Sequence, residues 1–386
     1  MPLPDYTGAS IVNLMSSIAT ALGDDSAIYP PLRDLPPSAL GAGGNVVLLV
    51  IDGLGHDYLT QAHPASCLRQ HLRAAITSVF PSTTATAITT FLPGLAPQQH
   101  GLTGWHMYFK ELGSVAAVLP FRARHGGPSL TQAGIEPAAL FAHGSLFDRL
   151  TVRSFVVAPQ RIVHSEFNLA HAGRALARGY GSLRQFFQRI EEALAGSGER
   201  RYVYAYYPEL DGLAHEHGIA SAQVAAHFAE LDAAFGEFIG RIQGSGSTVV
   251  VTADHGFIDT TPDRMIELEQ HPALADTLVL PLCGERRVAY CYVHPHKREQ
   301  FERYVLEELS ECATLFESAE LVERGYFGLG EPHPRLLERI GHYTLVMKQN
   351  YVIKDWLPNE RRHTQIGVHG GVSAQEMMVP LIVVQT

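Results

Sequence analysis

Apolar positions in this chain follow two different periods. Between Ser10 and Leu22, the residues Ile11, Leu14, Met15, Ile18 and Leu22 recur at helical spacing, and Gly23 follows as a stop. The same period runs through Ser182 to Leu194, with Leu183, Phe186, Phe187, Ile190 and Leu194 on one face, and through Ser221 to Ile242. Between these stretches lie short unbroken apolar runs: Val46 to Ile51, Phe155 to Val157, Tyr202 to Tyr207, Thr248 to Thr252 and Val379 to Val384. A strand covered on both faces reads this way, because helices pack on each side of a parallel sheet. Ser145 to Leu150 reads as a short helix between two of them. The alternation predicts an α/β fold, a doubly wound and mostly parallel sheet flanked by helices.

The pattern changes between about 259 and 362. A Pro-rich turn is followed by two β-like runs, Thr277 to Leu280 and Arg287 to Val293. Then come an amphipathic helix carrying Phe301, Val305, Leu306 and Leu309, several Gly/Pro turns and a further strand, His342 to Met347. This stretch is expected to form an inserted, smaller α+β cap, with 1–258 and 363–386 as the catalytic core. Caps of this kind exclude water and select substrate.

Composition narrows the function. The chain has 386 residues and a formal net charge of −10, with no Lys/Arg block, so a nucleic-acid polymer is not an expected partner. No basic leader or membrane-spanning apolar run is apparent, so no membrane is expected and the cytoplasm is the default location. Cys67, Cys283, Cys291 and Cys312 are scattered and read as reduced thiols, not as a disulfide frame or thiolate zinc site. Histidine is unusually plentiful at 20, which raises the prospect of a metal enzyme.

Ligand-type side chains fall where the strands end. Asp52 closes the first apolar run, and Asp254-His255-Gly256 follows another. Asp211 and His215, four apart after Tyr202 to Tyr207, share one face if that segment is helical. His369-Gly370-Gly371 precedes the last strand. In α/β sheets such strand ends surround the ligand crevice. Pro81-Ser82-Thr83-Thr84 stands where a helix begins, so a hydroxyl there could cap the helix or act on a phosphate drawn to its N-terminus. Three Asp and three His divide into two sites of N/O donors that suit zinc or manganese. Such a pair supports in-line phosphoryl displacement and eases loss of a coordinated hydroxyl's proton. His100 reads as a brace for a tight turn and His217 as a bystander. Trp105, His106, Tyr108, Lys110, Arg122 and Arg124 are weaker candidates for a pocket wall.

Five segments, taken in order, resemble the alkaline phosphatase superfamily, and its type I phosphodiesterase / nucleotide pyrophosphatase branch in particular. They are IDG at 51–53, FPSTTATAITTFLPGLAPQQHG at 80–101, YYPELDGLAHEHG at 206–218, TADHG at 252–256 and HGG at 369–371. The resemblance selects Thr84 as nucleophile. It implies that Asp211, His215 and His369 hold one divalent cation and that Asp52, Thr84, Asp254 and His255 hold the other, with zinc ahead of manganese. It implies hydrolysis of small-molecule phosphate diesters or nucleotide pyrophosphates through a phospho-threonine. The alternatives are a phosphomonoesterase, phosphonate hydrolase or phosphomutase of the same superfamily, and further off a non-catalytic metal-binding protein. Members commonly have an Asn three residues beyond the nucleophile to bind a phosphoryl oxygen. Here that position is Ala87, so backbone N–H groups, the cap, or a side chain such as Trp105 or Lys110 is expected to supply that contact instead.

Overall fold

The computed structural model describes all residues except Met1, Pro2, Ala42, Ser197, Asn359 and Arg361. Its central sheet has seven strands, in the spatial order Leu72–Thr77, Met378–Gln385, Thr248–Thr252, Val46–Ile51, Arg201–Tyr207, Arg153–Pro159 and Leu176–Tyr180. Val46–Ile51 pairs in parallel with Arg201–Tyr207 on one side and Thr248–Thr252 on the other. Met378–Gln385 is antiparallel to both of its neighbours, so the chain's last strand closes a mostly parallel sheet in the opposite sense. All six residues of Val46–Ile51 are at most 1 % exposed, as an unbroken apolar run at the sheet's centre requires.

The flanking helices begin where their caps dictate. Ser10 and Asn13 form a reciprocal capping box at the start of Ile11–Ala21. Ser182 and Ser221 accept from backbone N–H groups of Leu183–Leu194 and Ala222–Arg241. Each serine thus lies one residue outside the helix whose apolar spacing announced it.

A second seven-stranded sheet runs Ala313–Glu317, Tyr343–Met347, Val288–Cys291, Cys283–Gly284, His106–Phe109, Ser114–Ala117 and Arg122–Ala123, with its pairings antiparallel. Around Val288–Cys291 the side chains alternate between two small cores. Val288, Tyr290 and Tyr292 join Phe80 and Met377 from the main body, while Ala289, Cys291 and Val293 meet Phe301, Val305 and Leu309. Three strands of this sheet come from 106–123, ahead of the expected boundary at 259. They are short, and their alternation spans only four residues at most, which is too little for periodicity to distinguish from loop. Thr277 to Leu280 is not a strand; among the described residues only an isolated bridge joins Leu278 to Val293. Leu306 is 63 % exposed, because helix Arg298–Glu308 buries only Phe301 and Val305.

Candidate active site

Strand and helix ends bring the seven singled-out residues to one point. Asp52 follows Val46–Ile51, and Asp254 and His255 follow the adjacent Thr248–Thr252. Asp211 and His215 lie one turn apart in helix Glu209–His217. His369 follows the short strand Gly367–Val368. Thr84 is the first residue of helix Thr84–Phe91.

Neither neighbouring hydroxyl caps that helix. Ser82 donates to Gly371 O at 2.7 Å, and Thr83 Oγ1 donates to Glu285 Oε1 at 2.8 Å. Both tie the loop before Thr84 to other parts of the chain, and Thr84 Oγ1 is left 3.1 Å from His255 Nε2.

Two donor clusters meet here. His255 Nε2 lies 3.3 Å from Asp52 Oδ1 and 3.4 Å from Asp254 Oδ2, and 3.9 Å from Asp211 Oδ1. In the second cluster His215 Nε2 lies 3.4 Å from Asp211 Oδ1 and 3.2 Å from His369 Nε2, which is itself 3.7 Å from that oxygen. The rings of His255 and His369 stack between the clusters with centroids 3.6 Å apart. Donors bound tetrahedrally about 2.0–2.2 Å from one ion must themselves lie roughly 3.3–3.6 Å apart. Hydrogen bonding aims the same atoms inward. His215 Nδ1 is 2.8 Å from Gly367 O and His255 Nδ1 is 3.1 Å from Gly256 O, so each Nε2 faces the site. Asp52 Oδ2 accepts from the Tyr206 hydroxyl, and Asp254 Oδ1 accepts from the N–H groups of Gly53 and His255. The opposite oxygens, Asp52 Oδ1, Asp254 Oδ2 and Asp211 Oδ1, are buried with no hydrogen-bond partner. Buried carboxylate oxygens are costly unless paired, hydrogen-bonded or bound to a cation. The donor set therefore fits divalent cations.

The electrostatics agree. Burial, then repulsion from Asp211 and Asp254, holds Asp52 well above the usual carboxylate range, and burial raises Asp211. Burial, then the imidazoles of His255 and His215, keeps His369 neutral far below the usual histidine value. A cation held among these donors would offset the repulsion between the acids.

Two glycines permit this convergence. Gly53 adopts φ +77°, and a Cβ there would meet the Phe257 ring at 2.4 Å. A Cβ on Gly256 would fall 2.0 Å from Gln375 O, so Thr248–Thr252 and the segment before the last strand approach only through glycine.

The site opens into a cavity of about 350 Å³. Thr84, Asp211, His215 and His369 line it together with Trp105, His106, Arg124, Glu285, Arg286 and Lys354. Lys110 does not reach it: its ammonium is exposed and paired with Glu338 at 2.8 Å. Tyr108 and Arg122 are likewise outside the lining; Tyr108 packs edge-on against Tyr292, with ring centroids 5.2 Å apart. Ala87 is fully buried in the main core, so the helix points position 87 away from the cavity and a longer side chain there would meet apolar neighbours. Glu285 was not apparent from the sequence. It accepts from both Thr83 Oγ1 and the Trp105 N–H, the latter at 2.7 Å, and burial raises its carboxyl to about 7. Tyr206, Arg286 and Lys354 were also missed; the run Glu285-Arg286-Arg287 between two apolar segments was the one available signal. His100 lies elsewhere and braces its turn: Nδ1 accepts from the Leu102 N–H at 3.1 Å and Nε2 is 3.2 Å from Thr90 Oγ1. His217 is outside the donor clusters.

Known proteins share this architecture. The structure is similar to murine ectonucleotide pyrophosphatase/phosphodiesterase 5, as an inactive variant in complex with AMP, with a TM-score of 0.67 and 18 % identity over 88 % of this chain and 87 % of that one. The human protein gives the same values. Phosphonoacetate hydrolase from Sinorhizobium meliloti, in complex with phosphonoacetate, gives a TM-score of 0.62 and 17 % identity over 88 % and 89 %. No curated protein sequence matches significantly. The family description of type I phosphodiesterase / nucleotide pyrophosphatase matches residues 46–371. The chain therefore belongs to the type I phosphodiesterase / nucleotide pyrophosphatase family and is an enzyme that hydrolyses phosphoester bonds.

Proposed function

We propose that this enzyme hydrolyses phosphate diesters or nucleotide pyrophosphate bonds through a covalent phospho-Thr84. Asp52, Asp254, His255 and Thr84 would hold one divalent cation, and Asp211, His215 and His369 the other, with zinc ahead of manganese for this N/O donor set. When bound, the ions acidify a hydroxyl and offset charge on an in-line phosphoryl group.

The observation that carries the reading is Thr84 Oγ1: it sits at a helix N-terminus, 3.1 Å from His255 Nε2, on the wall of the cavity that Asp211, His215 and His369 also line. Thr84 Oγ attacks phosphorus and the leaving oxygen departs on the opposite side. Water then attacks the same phosphorus, the P–O bond to Thr84 breaks, and the threonine is restored. The N-terminus of Thr84–Phe91 favours the negative charge gathered beside it. Glu285 fixes Thr83 and the Trp105 backbone, and so orients the loop that presents Thr84. Hydrolysis of a phosphonate is a second reading, supported by the structural likeness to a phosphonoacetate hydrolase.

Two measurements test this. Turnover of bis-p-nitrophenyl phosphate is expected to exceed that of p-nitrophenyl phosphate, and faster monoester turnover would overturn the diester assignment. Thr84→Ala is expected to lower kcat/KM by about 10³-fold or more while folding and metal content persist. Retained turnover in that variant would remove Thr84 from the mechanism.

A further inference from the structure

Two cations in the cavity have, among the described residues, no carboxylate to themselves. Arg124, Arg286 and Lys354 all line it. Arg124 is satisfied: it pairs with Asp355 Oδ1 at 2.6 Å and Glu360 Oε1 at 2.8 Å, and donates to Leu282 O at 2.7 Å. The second oxygen of Asp355 is also taken, by the Leu282 N–H at 2.8 Å. Lys354 has only a share of Glu360, at 3.4 Å, although its side chain is just 11 % exposed. Arg286 Nη1 is buried with no hydrogen-bond partner, and Nη2 is 3.2 Å from His363 Nε2. Both cations lie over one indole, Lys354 Nζ at 5.0 Å and Arg286 Cζ at 5.5 Å from the Trp356 ring centre. Glu285, next to Arg286, already accepts from Thr83 and Trp105. Burial, then the charge of Arg124, pushes Lys354 down to about 8. Among the described residues, the nearby carboxylates Glu285 and Glu360 are already engaged by Thr83, Trp105 and Arg124, so both cations keep capacity for a further anion.

We propose that Lys354 and Arg286 form a subsite for a second anionic group of the substrate, so that the enzyme selects phosphoryl compounds carrying a further phosphate or a carboxylate. This rests on the reading of Thr84 as nucleophile in the same cavity. A charge-assisted, partly desolvated contact of this kind is the strong class of hydrogen bond and favours ligands with an anion at that position.

The test uses the full-length, metal-loaded enzyme and three competitors of bis-p-nitrophenyl phosphate turnover. Pyrophosphate offers a second phosphate, 2-carboxyethylphosphonate a carboxylate, and methylphosphonate neither. In Lys354→Met, and separately in Arg286→Gln, the Ki of at least one dianionic competitor is expected to rise about tenfold more than that of methylphosphonate. Whichever competitor is affected identifies the second group, and Lys354→Arg is expected to restore its Ki. Equal changes for all three competitors would overturn the subsite. Where the wild-type protein turns over no ester, the reading of Thr84 fails separately. Calorimetric titration with the same three compounds then decides the subsite, equal affinity changes again counting against it.

Discussion

Replacing Tyr206 by Phe removes one hydroxyl and nothing else from the metal site's surroundings. That hydroxyl donates to Asp52 Oδ2 and leaves Oδ1 facing the donor cluster. Partners of this kind typically sustain about 10–100-fold of metal affinity. Tyr206→Phe is therefore expected to weaken metal binding by that order, measured by competition with a chromogenic chelator. Unchanged affinity would mean that Asp52 is oriented by its backbone alone. The same scale explains why Tyr206 escaped notice in the sequence. It lies within an aromatic strand, Arg201–Tyr207, whose other tyrosines are buried for packing, and spacing does not tell one hydroxyl from another.

At the scale of elements, one buried ion pair fastens the second sheet to the segment before the chain's last strand. Arg287, at the head of Val288–Cys291, meets Glu376 through two bonds of 2.9 Å, and both residues are at most 1 % exposed. Glu376 also accepts from the Gly371 N–H at 2.8 Å, two residues beyond His369. Removing one partner of such a pair leaves a buried charge unanswered and typically costs about 3–5 kcal/mol. Arg287→Met is expected to lower the urea midpoint accordingly and to disturb the His369 loop. A midpoint equal to wild type would show that the junction relaxes without loss. Ser373-x-x-Glu376 is a spacing that the sequence itself displays, and it forms a capping box. Its extension to Arg287, 89 residues away, is not displayed there.

For the whole molecule, acid and chelator act through different buried groups. His100 and His171 are buried and His143 is half-buried, and burial first holds all three below the usual histidine value, His143 at about 3 and His171 at about 4. They are neutral when folded but take up protons when unfolded below pH 6.5, so the unfolded state binds more protons there and stability falls with pH. Each contributes roughly 1.4 kcal/mol per pH unit between 6.5 and its folded value. Urea midpoints are expected to decline steeply from pH 6.5 to 5, and a flat profile would contradict the burial of this cluster. Chelation acts at neutral pH. Without a cation, Asp52, Asp211 and Asp254 face one another with three unpaired oxygens. Removing the metal is expected to lower Tm, and adding it at a thousandfold excess over Kd to restore about 4 kcal/mol. A Tm indifferent to chelator would argue against bound ions.

The sequence by itself determined the core sheet and which side chains end its strands. Val46 to Ile51 and Thr248 to Thr252 are apolar because both faces are covered, and the residue that follows such a run lies at the strand's carboxyl end, where the crevice opens. Only the tertiary structure decided how those ends meet, because the separation between Asp52 and Asp254 or Thr84 and His255 carries no local period. It also decided that short strands from 106–123 complete the second sheet, that Ala87 faces the main core, and that Glu285, Arg286 and Lys354 rather than Lys110 line the cavity. Those residues stand on turns and brief strands, where the direction of a side chain is fixed by distant partners and not by its neighbours in sequence.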